Sequence, residues 1–89
     1  DPRSLNIRKG FFSGEAGLQV PGYRQKIEKT WGMSTHDLYG VAELGCQSAE
    51  CEQHDGMHFC GQGYVIAELI DPYTGAVKKM RDGETGELV

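Results

Sequence analysis

The residues best suited to chemistry lie between Asp37 and Glu43, where an aromatic ring, a glycine and a carboxylate follow one another closely. The residues just before Gly40 are compatible with a strand, so this glycine is expected to let the backbone turn sharply and Glu43 to project beyond the carboxyl end of the strand, where α/β folds bind ligands. The face of Tyr39 can stack on a purine, and the carboxylate of Glu43 can hold Mg²⁺. The run therefore indicates a nucleotide and metal site, and the alternative is a core tyrosine beside an ordinary turn and a solvated glutamate.

A second group of reactive side chains follows almost at once and consists of Cys46, Cys51, His54, His58 and Cys60. His54 follows Cys51 by three positions, and His58 lies two positions before Cys60, so that these two share a strand face. A tight-turn sequence separates the two pairs. A hairpin that brought these pairs together would form a tetrahedral Zn²⁺ site, with Cys46 as a competing ligand. The alternative is reduced thiols and surface imidazoles, because no Cys-x-x-Cys knuckle is present.

Composition describes one small unit, residues 1–89, with a formal net charge of −4. Basic residues are scattered among acidic ones, which argues against a nucleic-acid footprint and against an anionic membrane surface. No stretch has the length of a membrane span. Three cysteines are an odd count for a disulfide framework, so reduced thiols and a cytoplasmic location are favoured. The chain opens on Asp1-Pro2 and closes on what reads as the start of a strand, so we expect a fragment of a larger domain.

The first half of the chain predicts a βαβ-like unit over residues 5–43, which places it in the α/β class. A short strand over residues 6–13 leads into a glycine turn. Apolar side chains at Tyr23, Ile27 and Trp31 then recur every four residues, which predicts an amphipathic helix with Pro21 near its first turn and Gly32 after its last. With the following strand in parallel, Glu15 and Glu43 become neighbours at one sheet edge.

The second half predicts antiparallel β structure over residues 57–89. A loop runs through the cysteines of residues 46–51, and apolar and β-branched residues then predict a strand over residues 57–70. A proline and a glycine in residues 71–75 are a strong turn signal, so residues 76–80 are expected to return antiparallel before a further turn at residues 81–86.

Four landmarks now stand in order: Ser13-Gly14-Glu15-Ala16 before the helix, residues 37–43 after it, residues 70–75 in a hairpin and residues 83–89 at the end. Together they resemble the AMP-forming acyl-CoA ligases, most closely the phenylacetate-CoA ligase branch and its relatives that adenylylate a deazaflavin cofactor. The resemblance covers almost the whole chain and implies a fragment of the large, adenylating domain of such an enzyme.

The resemblance also implies roles for single residues. Gly14, Glu15 and Ala16 match the segment whose backbone passes one face of adenine, and Tyr39 matches the aromatic that covers the other face. Asp37 matches the polar position near the adenine amino group, and Glu43 matches the acidic residue that reaches the Mg²⁺ of ATP. Gly40 lies where the acyl substrate approaches. Ala42 departs from the pattern, because the family usually has a hydroxyl residue there.

The activity implied by the resemblance is the conversion of an aryl or related carboxylic acid and ATP to an acyl-AMP, followed by transfer of the acyl group to CoA. The phosphate loop and catalytic lysine of the family are not among these residues, so the chain alone is expected to be inactive. The alternatives are a free-standing zinc-binding structural or interaction module and a cofactor-adenylylating relative of the same family.

Overall fold

Parallel pairing of the first two strands determines the architecture of the first half of the molecule. The computed structural model describes residues 1–89 and places β1 (Lys9–Phe12) beside β2 (Ser34–Val41), with Lys9 opposite Ser34 and Phe12 opposite Asp37. Helix α1 (Tyr23–Trp31) forms the crossover between these strands. The predicted α/β class and βαβ-like unit are therefore confirmed.

The two ends of α1 are set by glycines. Gly22 caps the amino end with φ +79°, and Gly32 follows the last turn with φ +66°, a conformation that glycine adopts without steric cost. The amide of Gly32 donates to the carbonyl oxygen of Glu28 at 2.8 Å. Gly32 thus ends the helix as predicted. Pro21 lies one residue before the cap, close to the first turn but outside the helix.

Strands β3 (Gly45–Glu50) and β4 (Met57–Phe59) extend the sheet in the order β1-β2-β3-β4, and the two added pairings are antiparallel. The loop predicted through Cys46 is therefore wrong, because that residue lies within β3. Pairing with β2 makes residues 45–50 a strand, although their own sequence carries little strand signal.

The long strand predicted over residues 57–70 is also wrong. It is divided into β4 and β5 (Leu69–Ile70), which belong to different sheets. The amide of Cys60 donates to the carbonyl oxygen of Gln47 at 2.6 Å, and the amide of Val65 then closes a turn on the carbonyl oxygen of Gly61 at 2.9 Å. Gly63 has φ +90°, which disfavours a strand at this point.

A second sheet of three short strands confirms the predicted hairpin. Its order is β6-β5-β7, in which β6 (Val77–Lys78) and β7 (Glu87–Leu88) both pair antiparallel with β5. The intervening turn is held by Asp71, whose Oδ1 accepts from the amide of Tyr73 at 2.8 Å and from that of Thr74 at 3.1 Å. These two amides, with burial acting in the opposite direction, lower the pKa of the Asp71 carboxyl.

The interior of the molecule is mostly polar. Leu18 is the one buried hydrophobic residue, while five polar side chains are buried: Thr35, His36, Asp37, Gln47 and Glu50. Many large apolar side chains are exposed instead, among them Ile66 and Tyr73. Exposed apolar surface of this extent is typical of a surface that packs against other protein. The single α-helix falls short of the length and apolar character that crossing a bilayer demands.

Candidate functional site

A cleft opens at the carboxyl ends of the parallel strands β1 and β2. It consists of two adjoining cavities of about 270 and 460 Å³, whose linings share Gly14, Leu38, Tyr39 and Gly40. Both strands end at the same sheet edge, which is where open α/β sheets bind ligands. The turn after β1 and the end of β2 therefore face one another across the cleft.

The larger cavity is lined by the five residues predicted to lie around the adenine, and by Gly40, which was predicted to lie where the acyl substrate approaches. The five are Gly14, Glu15, Ala16, Asp37 and Tyr39. Gln19 and Met57 complete this cavity together with Leu38, and the sequence analysis did not select them. Gln19 follows the glycine turn closely, so its position could have been expected from the chain order. Met57 enters through β4, and no local pattern indicates that contact.

Gly40 is required by a close backbone approach. It is paired with Cys46 inside the β2–β3 hairpin, where the register shifts between Tyr39 and Gly40 and leaves Gln47 as an extra residue in β3. A Cβ at position 40 would overlap the carbonyl oxygen of Gly45 and lie 2.9 Å from the Cα of Cys46. The predicted sharp turn at Gly40 is therefore wrong, and the chain reverses two residues later.

Glu43 lies at the tip of this hairpin. The amide of Leu44 donates to the carbonyl oxygen of Val41 at 3.1 Å and closes the turn around it. Glu43 lines neither cavity, so it shares no cavity wall with Glu15, its predicted neighbour. An exposed carboxylate fits the donor requirement of Mg²⁺, which keeps several waters and takes one or two carboxylates together with substrate phosphates.

A buried ionic network lies behind the cleft and was not predicted. Arg24 on α1 pairs with Glu50 at the end of β3, and its Nη2 lies 2.9 and 2.8 Å from the two carboxylate oxygens. Arg24 Nη1 donates to the carbonyl oxygen of Thr35 at 2.8 Å, while Oε2 of Glu50 accepts from the amide of Asp37 at 3.0 Å. The network thus ties the helix and β3 to the strand that carries Asp37.

Charge and hydrogen bonding determine the ionisation of Glu50. Burial raises the pKa of its carboxyl, but the amide of Asp37 and the guanidinium of Arg24 together outweigh burial and hold the pKa below its ordinary value.

A second carboxylate binds the same strand: Oε1 of Glu28 accepts hydrogen bonds from both the amide and the hydroxyl of Thr35, each at 2.9 Å. Strand β2 is therefore fixed by side chains as well as by its neighbours.

The predicted zinc ligands are not assembled. No group of three or more histidine, cysteine, aspartate or glutamate side chains is placed to hold a metal ion. The thiol of Cys60 contacts the carbonyl oxygen of His58 at 3.3 Å, and that of Cys51 accepts from the amide of Gln53 at 3.4 Å. Strand β4 ends at Phe59, and Cys60 follows it directly.

His54 instead contacts His36, a histidine of β2. His36 is 3% exposed in the middle of β2, and its ring centroid lies 5.6 Å from that of His54. Its Nε2 lies 3.2 Å from the hydroxyl of Ser34 and 3.6 Å from a carboxylate oxygen of Glu52. These groups lie outside the cavity linings, so His36 serves the packing of the sheet.

Comparison with solved structures connects this geometry to known proteins. No protein-family model matches the chain, and no curated protein does. The chain is similar to 2-hydroxyisobutyryl-CoA ligase in an open conformation with 2-HIB-AMP and CoA, at 33% identity and a TM-score of 0.76. It is equally similar to the same enzyme in the postadenylation state with R3-HIB-AMP, at 33% identity and a TM-score of 0.75.

In both comparisons 99% of this chain is covered, and the chain spans 19% of the length of the ligase. A third structure, the postadenylation state with 2-HIB-AMP, gives a TM-score of 0.76 at 33% identity. The small α/β fold therefore matches a fragment of an adenylate-forming ligase domain. These similarities support the resemblance to adenylate-forming acyl-CoA ligases and do not single out the phenylacetate-CoA ligase branch.

Proposed function

We propose that this chain forms one wall of the adenylate pocket in a larger AMP-forming carboxylate–CoA ligase. Such an enzyme joins a carboxylic acid to ATP, releases pyrophosphate and passes the acyl group from acyl-AMP to the thiol of CoA. The observation that carries the proposal is the single cavity that all six residues assigned to the nucleotide and the acyl substrate line together. Similarity to a ligase whose structures hold an acyl-AMP and CoA supports it further.

Each wall of the cleft has a separate task. The backbone of Gly14, Glu15 and Ala16 passes one face of the adenine, and Gly14, with φ +86°, adds no side chain to this wall of the cleft. Tyr39 lines both cavities and stacks on the opposite face of the base. Asp37 lines the larger cavity between these two walls, where its carboxylate accepts a hydrogen bond from the 6-amino group of the adenine.

Adenylation requires a carboxylate oxygen to attack the α-phosphorus of ATP, with pyrophosphate as the leaving group. Magnesium supplies charge neutralisation on the phosphates when it is bound. Glu43, exposed at the hairpin tip, is the residue of this chain that would hold it, and Ala42 beside it has no hydroxyl for the α-phosphate. Val41 and Cys46 line the smaller cavity, which we assign to the acid.

The chain supplies too little charge to catalyse this step alone. None of the residues that line the two cavities is a lysine or an arginine, so the attacking and leaving anions have no cationic partner here. Those groups must come from other parts of the enzyme. We therefore expect the isolated chain to be inactive.

The acid is proposed to be an aryl carboxylate such as phenylacetate. The order and spacing of the four sequence landmarks support this branch of the family. A cytoplasmic location is proposed as well, and the three free cysteines support a reducing compartment.

Pyrophosphate exchange tests the proposal. The full-length enzyme encoded by the gene that contains this sequence should exchange labelled pyrophosphate into ATP when an acid is present. Phenylacetate, benzoate and 2-hydroxyisobutyrate form the first panel, and CoA thioester formation is followed by mass spectrometry. The purified 89-residue chain should show no exchange with any of them. Exchange by the short chain would contradict its incompleteness, and a full-length protein that is inert toward every carboxylic acid would refute the proposed function.

A further inference from the structure

Arg24 and Glu50 form the most shielded ion pair of the molecule. Their side chains are 13% and 5% exposed, whereas the ion pair of Lys9 with Glu52 lies at the surface. A shielded pair of this kind adds little net stability, because removing two charges from water offsets most of their attraction. The value of the pair must therefore be sought in the geometry that it imposes.

That geometry acts directly on the cleft. Glu50 accepts the amide of Asp37 at 3.0 Å, and Arg24 anchors the carboxylate through two contacts from one side. The same guanidinium holds the carbonyl oxygen and the hydroxyl of Thr35, two residues earlier, at 2.8 and 3.2 Å. Both points of attachment precede Tyr39, so they fix the strand segment that forms the polar wall and the stacking wall of the larger cavity.

Asp37 is itself 6% exposed, and its Oδ2 lies 3.4 Å from the amide nitrogen of the Gln19 side chain. This long contact leaves most of the acceptor capacity of the carboxylate unused. The position of the Asp37 carboxylate in the cavity wall depends on the position of the Asp37 backbone. A shift of that backbone would therefore change the distance from the carboxylate to a bound base.

We propose that Glu50 and Arg24 are positioning residues of the nucleotide cleft, which hold Asp37 where its carboxylate accepts a hydrogen bond from a 6-aminopurine. The inference rests on the proposed function. A carboxylate favours the amino group of adenine, which donates, and repels the 6-oxo group of hypoxanthine, since the carboxylate oxygens and the oxo oxygen are all acceptors. Glu50 and Arg24 thereby set the preference of the enzyme for ATP over ITP.

The experiment compares Glu50→Gln and Arg24→Lys with wild-type full-length enzyme in pyrophosphate exchange, with ATP and with ITP as nucleotide. Glu50→Gln keeps the shape of the side chain, removes its charge and places an amide donor against the guanidinium of Arg24, while Arg24→Lys keeps the charge and loses the fork that spans Glu50 and Thr35. Glu84→Gln is the matched control, because Glu84 pairs with Lys78 in the second sheet, away from the cleft.

We expect the KM for ATP to rise about tenfold in Glu50→Gln and the ATP-over-ITP ratio of kcat/KM to fall by a similar factor, which is the scale of one lost charge-assisted hydrogen bond. The kcat at saturating ATP should stay within about threefold of wild type, since the reacting atoms are untouched. Arg24→Lys should change both quantities in the same direction. Amide hydrogen exchange in residues 35–39 should become faster in both variants, and Glu84→Gln should match wild type throughout.

Three results would overturn the inference. Unchanged KM and unchanged nucleotide preference in both variants would remove the positioning role and leave the proposed function intact. An equal loss of activity with ATP and ITP would show a merely structural role. Absence of exchange by the wild-type enzyme with every acid would refute the proposed function and this inference with it. If Glu50→Gln fails to fold, Arg24→Lys decides, because it retains a cation beside Glu50.

Discussion

Gly40→Ala tests whether the β2–β3 hairpin closes on Gly40 as the structure shows. The added Cβ would overlap the carbonyl oxygen of Gly45 and lie 2.9 Å from the Cα of Cys46. Both are backbone atoms, which cannot rotate away as a side chain can, so the two strands must separate at the pairs Gly40–Cys46 and Val41–Gly45. At about 1 kcal/mol for each lost hydrogen bond, and with the cost of overpacking, we expect a destabilisation of about 3 kcal/mol.

Urea denaturation followed by circular dichroism measures this loss. With a slope of about 1.5 kcal/mol per molar urea, the midpoint should fall by about 2 M. Gly17→Ala is the control, since a Cβ there would meet the ring of Tyr23 at 3.5 Å, an ordinary contact. Its free energy of unfolding should stay within about 0.5 kcal/mol of wild type. A Gly40→Ala midpoint equal to that of the control would refute the close approach of β3.

Three further results are expected. The pKa of Glu50 in the folded protein lies below its ordinary value of 4.5, so the ionised carboxylate stabilises the fold above pH 4.5, and this stabilisation is lost as the pH falls through the folded pKa. Urea denaturation at a series of acidic pH values should show the loss, and Glu50→Gln should lack the part of it that comes from this carboxylate. In the full-length enzyme, Glu43→Gln should slow adenylation about a hundredfold with little change in acid binding, by single-turnover kinetics, and a near-normal rate would make Glu43 a surface residue. Because the cysteine and histidine side chains do not form a group that could hold a metal ion, elemental analysis of untagged protein should find far less than one zinc per chain. Cys51→Ser should leave the melting temperature unchanged, and a zinc stoichiometry near one would contradict this prediction.

Local patterns were sufficient for several elements. The four-residue spacing of Tyr23, Ile27 and Trp31 predicted α1, and Gly32 marked its end, because helix periodicity and glycine caps depend on residues within a turn or two. The same holds for the turn at Asp71, where the carboxylate binds amides two and three residues later. The order strand, helix, strand then led to the parallel pairing, since such crossovers follow a small set of topologies.

Other features failed for one shared reason, which is that their partners are distant in the sequence or in a neighbouring strand. Strand β3 exists because β2 and β4 flank it, and strand propensity depends on such neighbours more than on composition. Gly40 was interpreted as a turn residue, although its glycine is needed where another strand passes. Residues 57–70 were placed in one strand, but β4 pairs with β3, whereas β5 pairs with β6 and β7 in the second sheet.

The sequence by itself determined the βαβ order, because that order depends on local turns and periodicity, and the resemblance of its landmarks to a known family selected six of the residues that line the cleft. The tertiary structure alone decided what supports that cleft. Arg24 and Glu50 lie 26 residues apart, and neither carries a local signal of its partner. A buried ion pair forms where packing brings two charges together and excludes water, and that condition exists in the folded chain alone.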